Sequence, residues 1–559
     1  MHATMIERDV PVTMRDGTVL RADIYRPAIE GRFPVIVDRT PYNKLTLFSA
    51  FFDAQAAVDR GFVFIAQDTR GRFASDGEWL PWAFEREDGY DTIEWAAGLP
   101  YSNGNVGTAG ASYFGSTQWS AAMMRPPHLK AIAPLVTWAD PDDGLMFRGG
   151  ATEIGLNVPW ALGQSLDQYT KETLTPTEVG DKVVASIAEL DQIASRGYWG
   201  LPSGSMPALA ATGQPDIGVA RALADPATMD ECRVSHWYDD VTVPSLNMAG
   251  WYDVFLQGSL DNYMGMRERG RVARLVVGPW SHVSLLSPAS PVVGEVNFGI
   301  SSVMPGGASL TGLQLDWYGH WLADATATAS HESGVQVFVM GINKWRTESE
   351  WPLARAEETP LYLASGERLG WVEPGDGSAA SDYVYNPADP APTRGGALSM
   401  TGEYPAGPIN QSPVEERPDV LVFTTAPLPE DLEVTGRVRA VLFAATDGPS
   451  TDWVVRLCDV DQSGISRNVV DGITRARAEP SRVDEVEVDL WSTSMVFKAG
   501  HRIRIHVTSS NFPRWDRNPN TGEPPSAATE FRVAQQRILH DAAHHSRLIL
   551  PVIPAIPVR

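Results

Sequence analysis

Residues 105–115 read Asn-Val-Gly-Thr-Ala-Gly-Ala-Ser-Tyr-Phe-Gly, and this stretch decides the fold. It passes from a short β-type run into the helix-compatible segment TQWSAAMM (117–124), so Ser112 stands at a strand-to-helix turn. Small residues are needed at such a turn because the backbone bends sharply and pushes the serine out of the sheet. The usual nucleophile elbow is G-x-S-x-G, whereas here Phe114 replaces the second glycine and Gly115 follows it. Taken alone, the pattern also fits a tight turn with a capping serine.

The segments on either side of this turn alternate between β-type and helix-type residue patterns. Short β-rich runs are separated by stretches with apolar residues at helical spacing, which indicates a parallel sheet covered by helices. A hairpin is predicted at the start, where Asp16-Gly17 separates two alternating runs and is a strong signal for a type I′ turn. The buried β-type runs are PVIVDR (34–39), GFVFIAQD (61–68), KAIAPLVTW (130–138), VPSLNMAGWYD (243–253) and ARLVVGPWSH (273–282).

These changes in residue pattern divide the chain into three regions. Residues 1–140 and 239–349 are predicted to form an α/β domain. Between them, residues 141–238 lose the β-rich runs and carry helical patterns such as KVVASIAELDQIASRGYW (182–199), which predicts an all-helical cap. From about 350 to 559, turn signals and alternating runs such as EVTGRVRAVLFAAT (433–446) predict a β-sandwich or jelly roll.

Composition narrows the function classes. The chain has 559 residues with 45 basic and 69 acidic side chains, a net charge of −24 that disfavours nucleic-acid binding. No run approaches the ~18 apolar residues of a membrane span, and the N-terminus lacks the apolar core of a signal peptide. Cys232 and Cys458 form no metal or disulfide pattern, and no motif for a metal or an organic cofactor is present. These features predict a cytoplasmic protein that has no membrane segment and no cofactor.

An acid and a base follow Ser112 in the order Ser, Asp, His that is typical of α/β-hydrolases. Asp253 ends one buried run and His282 ends the next. Because the carboxyl ends of parallel strands meet at one edge of the sheet, the three side chains are expected to converge. A serine nucleophile needs such a base, and the base needs a carboxylate that fixes its tautomer. Individually, the aspartate could cap a helix and the histidine could be structural.

A second serine has the same glycine spacing. Gly307-Ala-Ser-Leu-Thr-Gly312 surrounds Ser309, but Pro305-Gly306 precedes it where a strand should be. Ser309 also lies beyond both Asp253 and His282, which is the wrong chain order. We therefore predict a loop at Ser309 and no catalytic role.

Stabilisation of an oxyanion requires hydrogen-bond donors near Ser112. The backbone N–H of Tyr113, directly after the serine, is the first candidate. The chain has no HGGG-type loop, but Thr40-Pro-Tyr-Asn-Lys follows the run PVIVDR, and Tyr42 could direct its hydroxyl into the same crevice. Tyr42 could equally be a half-buried loop aromatic.

Judged by these residues and the motifs around them, the chain resembles the cocaine esterase family. This family is part of the larger X-Pro dipeptidyl-peptidase group, which also includes glutaryl acylases and α-amino-acid ester hydrolases. The resemblance extends over nearly the whole length, and the irregular G-x-S-Y-x-G form is typical of this family. It is carried by MRDGTVLRADIYRP, PYNK, QDTRGRFASDGEW, GNVGTAGASYFG, AGWYDVF, LVVGPWSH, VMGINKWR and SSNFPRWDRN.

The resemblance implies an α/β-hydrolase domain, a helical insert and a C-terminal jelly roll. It implies Ser112 as nucleophile, Asp253 as acid and His282 as base, with Tyr42 and the Tyr113 amide as oxyanion donors. Trp160 and Phe255 resemble residues of the family's acyl pocket. The chain departs from the cocaine esterase type in a shorter loop after Tyr42, in Leu145 or Met146 in place of a second pocket tryptophan, and in Ser399 and Met400 in place of bulkier apolar residues.

The implied function is that of a serine hydrolase cleaving small-molecule aryl or acyl esters through an acyl-enzyme. Alternatives are an amidase, an X-prolyl dipeptidyl-peptidase or an α-amino-acid ester hydrolase or acylase with the same triad. A silent binding protein is a further alternative, in which β-domain tryptophans such as Trp453 and Trp515 would be exposed. The stretch LQLDWYGHWLADA (313–325) fits a core helix or a homodimer interface, so the oligomeric state stays open.

Overall fold

The first part of the chain builds one half of a large sheet. The computed structural model describes residues 3–46, 52–212, 218–286, 290–323, 334–375, 379–524 and 527–554. Strands and helices alternate here, as the sequence predicts. They are β1 (Thr4–Thr13), β2 (Val19–Pro27), β3 (Phe33–Thr40), α1 (Ala54–Asp59), β4 (Val63–Asp68), α2 (Glu85–Ala97), β5 (Ser102–Ala111), α3 (Ser112–Met123) and β6 (Leu129–Leu135).

The insert that follows is mainly helical but not entirely so. A two-stranded hairpin stands near its start, so the prediction of an all-helical cap is wrong in this detail. The hairpin docks on the C-terminal region, where Arg475 N donates to Gly149 O at 2.7 Å, a contact that no local pattern reveals. The named elements are β7 (Phe147–Arg148), β8 (Ala151–Thr152), α4 (Ile154–Gln168), α5 (Pro176–Asp191), α6 (Pro207–Ala211) and α7 (Val219–Ala224).

The chain then returns to the sheet and completes it. The elements of this part are β9 (Ser245–Tyr252), α8 (Leu256–Glu268), β10 (Ala273–Ser281), β11 (Val292–Val293), β12 (Val296–Asn297), α9 (Leu310–Leu322), β13 (Val335–Val339) and β14 (Lys344–Glu348). The strand order is β1-β2-β4-β3-β5-β6-β9-β10-β13-β14, and the strands from β4 to β13 in this order are parallel. Strand β9 is buried along its whole length because helices cover both faces of the sheet.

Helices α2, α3 and α8 pack on one face of the sheet, while α1 and α9 pack on the other. In α9, Trp317 is buried and its indole N–H donates to Ile132 O of β6 at 3.1 Å, so this helix belongs to the core. Residues 324–325, the end of the stretch considered as an interface, lie outside the described residues. The homodimer stays a prediction.

The N-terminal hairpin is present, since β1 pairs antiparallel with β2. The predicted two-residue type I′ turn is wrong, however. The paired residues nearest the turn are Thr13 and Val19, so the connection is longer. Of Asp16 and Gly17, only Gly17 has a positive φ, of 90°, whereas a type I′ turn needs two such residues.

The C-terminal region is all-β, and its strands enclose an apolar core of their own. The last strand of the first sheet ends at Glu348 and the next strand begins at Glu357. The elements are β15 (Glu357–Ala364), β16 (Arg368–Gly370), β17 (Ala380–Tyr385), α10 (Ser412–Glu415), β18 (Leu421–Thr424), β19 (Leu432–Thr446), β20 (Ser450–Val460), β21 (Ser466–Arg477), β22 (Asp484–Phe497), β23 (Arg502–Thr508), β24 (Ala534–Asp541), β25 (His544–His545) and β26 (Arg547–Ile553).

Two tryptophans of the β-domain that could have marked a ligand surface are buried. Trp453 lies in the apolar core, and Trp515 donates its indole N–H to Glu153 Oε1 of the insert at 2.8 Å. Neither ring offers the exposed aromatic surface that the binding-protein alternative requires. A membrane-crossing helix needs about 20 apolar residues, and none of the helices in the described ranges meets that requirement.

Candidate active site

Four predicted site residues follow the carboxyl ends of neighbouring parallel strands. Tyr42 follows β3 and Ser112 follows β5, while Asp253 and His282 follow β9 and β10. In an open α/β sheet the crevice for a ligand lies outside these strand ends. The topology therefore brings residues distant in sequence to one edge of the sheet.

Ser112, His282 and Asp253 form a continuous hydrogen-bonded chain. The Ser112 hydroxyl lies 3.1 Å from His282 Nε2, and His282 Nδ1 lies 2.7 Å from Asp253 Oδ2. Asp253 is fully buried, and its other oxygen, Oδ1, accepts the backbone N–H of Phe255 at 2.6 Å. These contacts fix the carboxylate, orient the imidazole and place its second nitrogen on the serine. The arrangement has the geometry of a nucleophile, a general base and an orienting acid.

The backbone at Ser112 explains the displaced glycine. Ser112 has a φ of 56°, a left-handed conformation that projects the side chain from the strand end. A Cβ at Gly110 would lie 2.4 Å from the Phe114 ring, and a Cβ at Gly115 would lie 2.9 Å from Leu135 O. The second glycine is thus needed where α3 crosses the end of β6, and Phe114 fills the space over Gly110.

Ser309 has a structural role. Its side chain accepts the backbone N–H of Gly312 at 2.9 Å and caps α9, which starts at the next residue. Ser309 itself lies outside the helix in an extended conformation, as the predicted loop requires, and α9 begins at Leu310. The absence of a β-type run before Ser309 is the sequence signal that distinguishes it from Ser112.

The two tyrosines beside Ser112 direct their hydroxyls differently. The Tyr42 hydroxyl accepts the Trp160 indole N–H at 3.1 Å and is hydrogen-bonded to the Ser112 side chain. Burial raises the pKa of Tyr42 to about 12, so the hydroxyl keeps its proton at neutral pH. The Tyr113 hydroxyl donates to Glu85 Oε1 at 3.0 Å and accepts the Trp82 N–H at 2.8 Å. Tyr113 can therefore serve the site only through its backbone N–H, in the first turn of α3, where such groups lack intrahelical acceptors.

A mostly apolar pocket lies over Ser112. The rings of Trp82 and Trp160 are nearly parallel, with centroids 5.4 Å apart, and Tyr113 stacks on Trp160 at 6.4 Å. The lining residues are Tyr42, Trp82, Ser112, Tyr113, Trp138, Leu145, Leu156, Asn157, Trp160 and Phe255. The set contains no carboxylate and no ammonium, so the pocket is suited to a flat, uncharged group.

Arg72 holds the loop of Tyr42 against the insert. Its guanidinium donates to Pro41 O at 2.7 Å and to Gln164 O at 2.8 Å, and it stacks over the Trp79 ring at 4.1 Å. Desolvation lowers the pKa of Arg72 to about 10, which leaves it charged at neutral pH. A fixed positive charge therefore stands behind the aromatic wall of the pocket.

Sequence reasoning missed four lining residues, Trp82, Trp138, Leu156 and Asn157. Trp82 lies in the loop after β4 and Trp138 follows β6, so the rule of strand ends that indicated Asp253 and His282 points to the same edge of the sheet for both. Asn157 lies one helical turn before Trp160 on α4, so the two residues share a helix face. The prediction of Trp160 as a pocket residue could therefore have indicated Asn157.

The departures from the cocaine esterase type fall at the back of the pocket. Leu145 lines it, while Met146 is fully buried in the apolar cluster behind it. Ser399 is half-buried, and Met400 packs on α4, where a Cβ at Gly155 would lie 2.7 Å from its Sδ. The β-domain thus supports α4 and contributes none of the lining residues of this pocket in the described part of the chain. Part of the shortened loop after Tyr42, residues 47–51, lies outside the described residues.

No metal-binding cluster of three or more His, Cys, Asp or Glu side chains occurs among the described residues. Cys232 and Cys458 are both free and buried. Burial raises the pKa of each thiol to about 12, so both stay protonated at neutral pH.

Comparison with known proteins agrees with this fold. Residues 16–284 match the family model of the X-Pro dipeptidyl-peptidase (S15 family), and residues 328–549 match that of its C-terminal non-catalytic domain. The chain is 34% identical to a cocaine esterase of Rhodococcus sp. (strain MB1 Bresler), over 98% of each protein. Two similar solved structures, both with a TM-score of 0.79 over 99% of this chain and 97% of theirs, are an aminopeptidase from a Thaumarchaeota archaeon (26% identical) and an α-amino acid ester hydrolase (25%).

The fold and these relatives define the class of protein, a serine hydrolase with an α/β-hydrolase domain, a cap insert and a C-terminal β-domain. The chain belongs to the X-Pro dipeptidyl-peptidase (S15) family, within which its full-length likeness to a cocaine esterase places it among the cocaine esterase relatives. The resemblance inferred from the motifs is thereby confirmed.

Proposed function

We propose that the protein hydrolyses carboxylic esters with Ser112 as nucleophile, His282 as general base and Asp253 as the acid of the triad. The observation that carries this proposal is the hydrogen-bonded chain from the Ser112 hydroxyl through His282 to the buried Asp253. His282 Nε2 takes the serine proton as Oγ attacks the ester carbonyl, and Asp253 stabilises the imidazolium that forms. His282 then protonates the leaving alcohol, and water releases the acid from the acyl-enzyme.

Two donors are proposed for the oxyanion of the tetrahedral intermediate. The Tyr42 hydroxyl accepts from Trp160 and so keeps its own hydrogen for a second partner. The Tyr113 N–H lies at the start of α3, where the helix dipole favours negative charge. Hydrogen bonds that strengthen as charge develops on the carbonyl oxygen lower the barrier for acylation.

The acyl group of the ester is proposed to occupy the aromatic pocket. The alcohol group is proposed to lie on the side of His282. The imidazole must protonate the leaving alcohol, and His282 is 15% exposed, so departure is open on this side. Trp160 and Phe255 both line the pocket, as the resemblance implies, and Phe255 packs edge-on against the His282 ring at 5.4 Å. Phe255 thereby separates the acyl pocket from the base.

The alternative is an aminopeptidase or an α-amino acid ester hydrolase, as the two solved relatives are named. The substrates of such an enzyme carry an α-amino group beside the bond that is cleaved. Binding of a substrate ammonium in an apolar site requires carboxylates to compensate the charge. The described lining of the pocket contains none. The 34% identical relative is named as an esterase, which further supports esters without an α-amino group.

A pair of substrates distinguishes these alternatives. For phenyl phenylacetate and phenyl phenylglycinate, which differ only in the α-amino group, we expect kcat/KM to be higher for the neutral ester by about 100-fold or more, the penalty for an unpaired buried ammonium. Each rate is divided by the spontaneous rate of the same ester. A preference for the amino ester would contradict the proposal and favour an α-amino-acid ester hydrolase or aminopeptidase.

The remaining assignments stay predictions. The substrate is proposed to be a small molecule, turned over without a cofactor, by a cytoplasmic protein. The net charge of −24 disfavours nucleic acid as a partner. The boundaries 1–140 with 239–349, 141–238 and 350–559 are proposed for the three regions.

A further inference from the structure

One lining residue of the pocket does not fit a purely apolar substrate. Asn157 is only 2% exposed and is the sole carboxamide among the residues that line the pocket. A buried amide has to satisfy two N–H groups and one carbonyl oxygen, or it costs stability. The bonds it makes within the protein therefore show what is left for a ligand.

The Asn157 amide has a fixed orientation. Its Nδ2 donates to Leu145 O at 2.9 Å and to Glu153 O at 2.8 Å. Both hydrogens are used on carbonyl oxygens, and a flipped amide would set its own oxygen against two acceptors. The nitrogen is thus assigned by its partners, and Oδ1 is the atom that remains.

Nothing in the described part of the chain donates a hydrogen bond to Asn157 Oδ1, although the residue lines the pocket. Helix α4 is supported at Gly155 by Met400, and Asn157 is held at both of its N–H groups, so the side chain cannot easily turn away. The pocket consequently presents one fixed acceptor among aromatic rings.

The occupant that matches this acceptor carries a neutral donor. An ammonium would need a carboxylate, which the lining lacks. A hydroxyl on an aromatic ring needs no counter-charge, since aromatic side chains line the pocket and the hydroxyl can donate to Oδ1. A bare ring would leave the acceptor dry and unpaired, which is unfavourable.

We propose that Asn157 makes the enzyme selective for esters of hydroxyaryl carboxylic acids, with the ring hydroxyl of the acyl group donating to Asn157 Oδ1. This inference rests on the proposed ester hydrolysis at Ser112 and names its acyl group. Asn157 is then a specificity-determining residue that acts on the acyl ring and takes no part in the proton transfers at Ser112.

The test is a panel of phenyl esters with one leaving group and different acids: benzoic, 3- and 4-hydroxybenzoic, and 3- and 4-methylbenzoic acid. Each kcat/KM is divided by the spontaneous rate of the same ester at the assay pH, where the ring hydroxyl is protonated, which removes the electronic effect of the substituent. We expect one hydroxy isomer to exceed both benzoate and its methyl counterpart by about tenfold or more, the effect of one buried hydrogen bond. Asn157→Leu should abolish this preference, so that in the variant the normalised kcat/KM of the hydroxy ester differs from that of its methyl counterpart by less than about threefold.

The outcomes separate this inference from the proposed function. If benzoate is hydrolysed but neither hydroxy isomer is preferred by the native enzyme, the role of Asn157 is wrong and ester hydrolysis stands. If no ester is hydrolysed, the proposed function itself fails. The panel on the native enzyme decides the question even if Asn157→Leu does not fold, and a preference that survives in a folded Asn157→Leu enzyme would also overturn the assignment.

Discussion

Replacing Ser112 by alanine should lower kcat for ester hydrolysis on the order of 10⁵–10⁶-fold, as expected for removal of a triad nucleophile. The hydroxyl is the atom that His282 Nε2 contacts at 3.1 Å, so its removal takes away the group that attacks the carbonyl. Some acceleration over water should remain, since the pocket and the oxyanion donors are unchanged. His282→Ala should have a comparable effect, because triad members act as a unit.

The chain offers a matched control for this substitution. Ser309 has the same glycine spacing as Ser112 but caps α9, so Ser309→Ala should cost about 1 kcal/mol of stability and leave kcat unchanged. Steady-state kinetics on a phenyl ester and thermal unfolding of the three variants provide the measurement. Retention of native turnover by Ser112→Ala would overturn the triad.

Replacing Tyr42 by phenylalanine should reduce kcat by about 10²–10³-fold with little change in KM, because the lost hydrogen bond matters mainly in the transition state. The hydroxyl stays protonated because burial raises the pKa of Tyr42 to about 12. Its donor is lost only as pH rises toward that value, so no fall of kcat due to Tyr42 is expected below about pH 11.

Tyr198→Phe is the control for this variant, since the Tyr198 hydroxyl is buried in the insert and donates to Gly155 O at 3.3 Å. It should retain native kcat, while both variants should unfold at temperatures close to that of the native enzyme. Near-normal turnover by Tyr42→Phe would show that the oxyanion is held by other groups.

The architecture was predictable because its signals are local or obey topological rules. The run at 105–115 places a serine at a strand-to-helix turn, and buried runs alternating with helical spacing indicate a parallel sheet. Since functional groups in such sheets gather at the carboxyl ends of strands, the positions of Asp253 and His282 after buried runs, together with the chain order Ser, Asp, His, predicted that they converge with Ser112. The structure brings these two residues and Ser112 into one hydrogen-bonded chain.

Most features that escaped prediction depend on contacts between distant segments. The hairpin at Gly149 carries a local signal in the pair Gly149-Gly150, both with positive φ, but its docking on the backbone of Arg475 is not indicated by residues 147–152 alone. Asn157 has a free acceptor only because Leu145 O and Glu153 O occupy its N–H groups. The direction of the Tyr113 hydroxyl likewise depends on Glu85, which reaches it from α2.

The central claim is that Ser112 is a nucleophile activated by His282, and reaction with a fluorophosphonate probe tests it most directly. The folded protein is treated with the probe, digested, and the modified peptide is mapped by mass spectrometry. We expect modification at Ser112 and none at Ser309, with the labelling of Ser112 lost in His282→Ala. Absence of labelling in the folded native protein, or equal labelling after His282→Ala, would contradict an activated serine at this site.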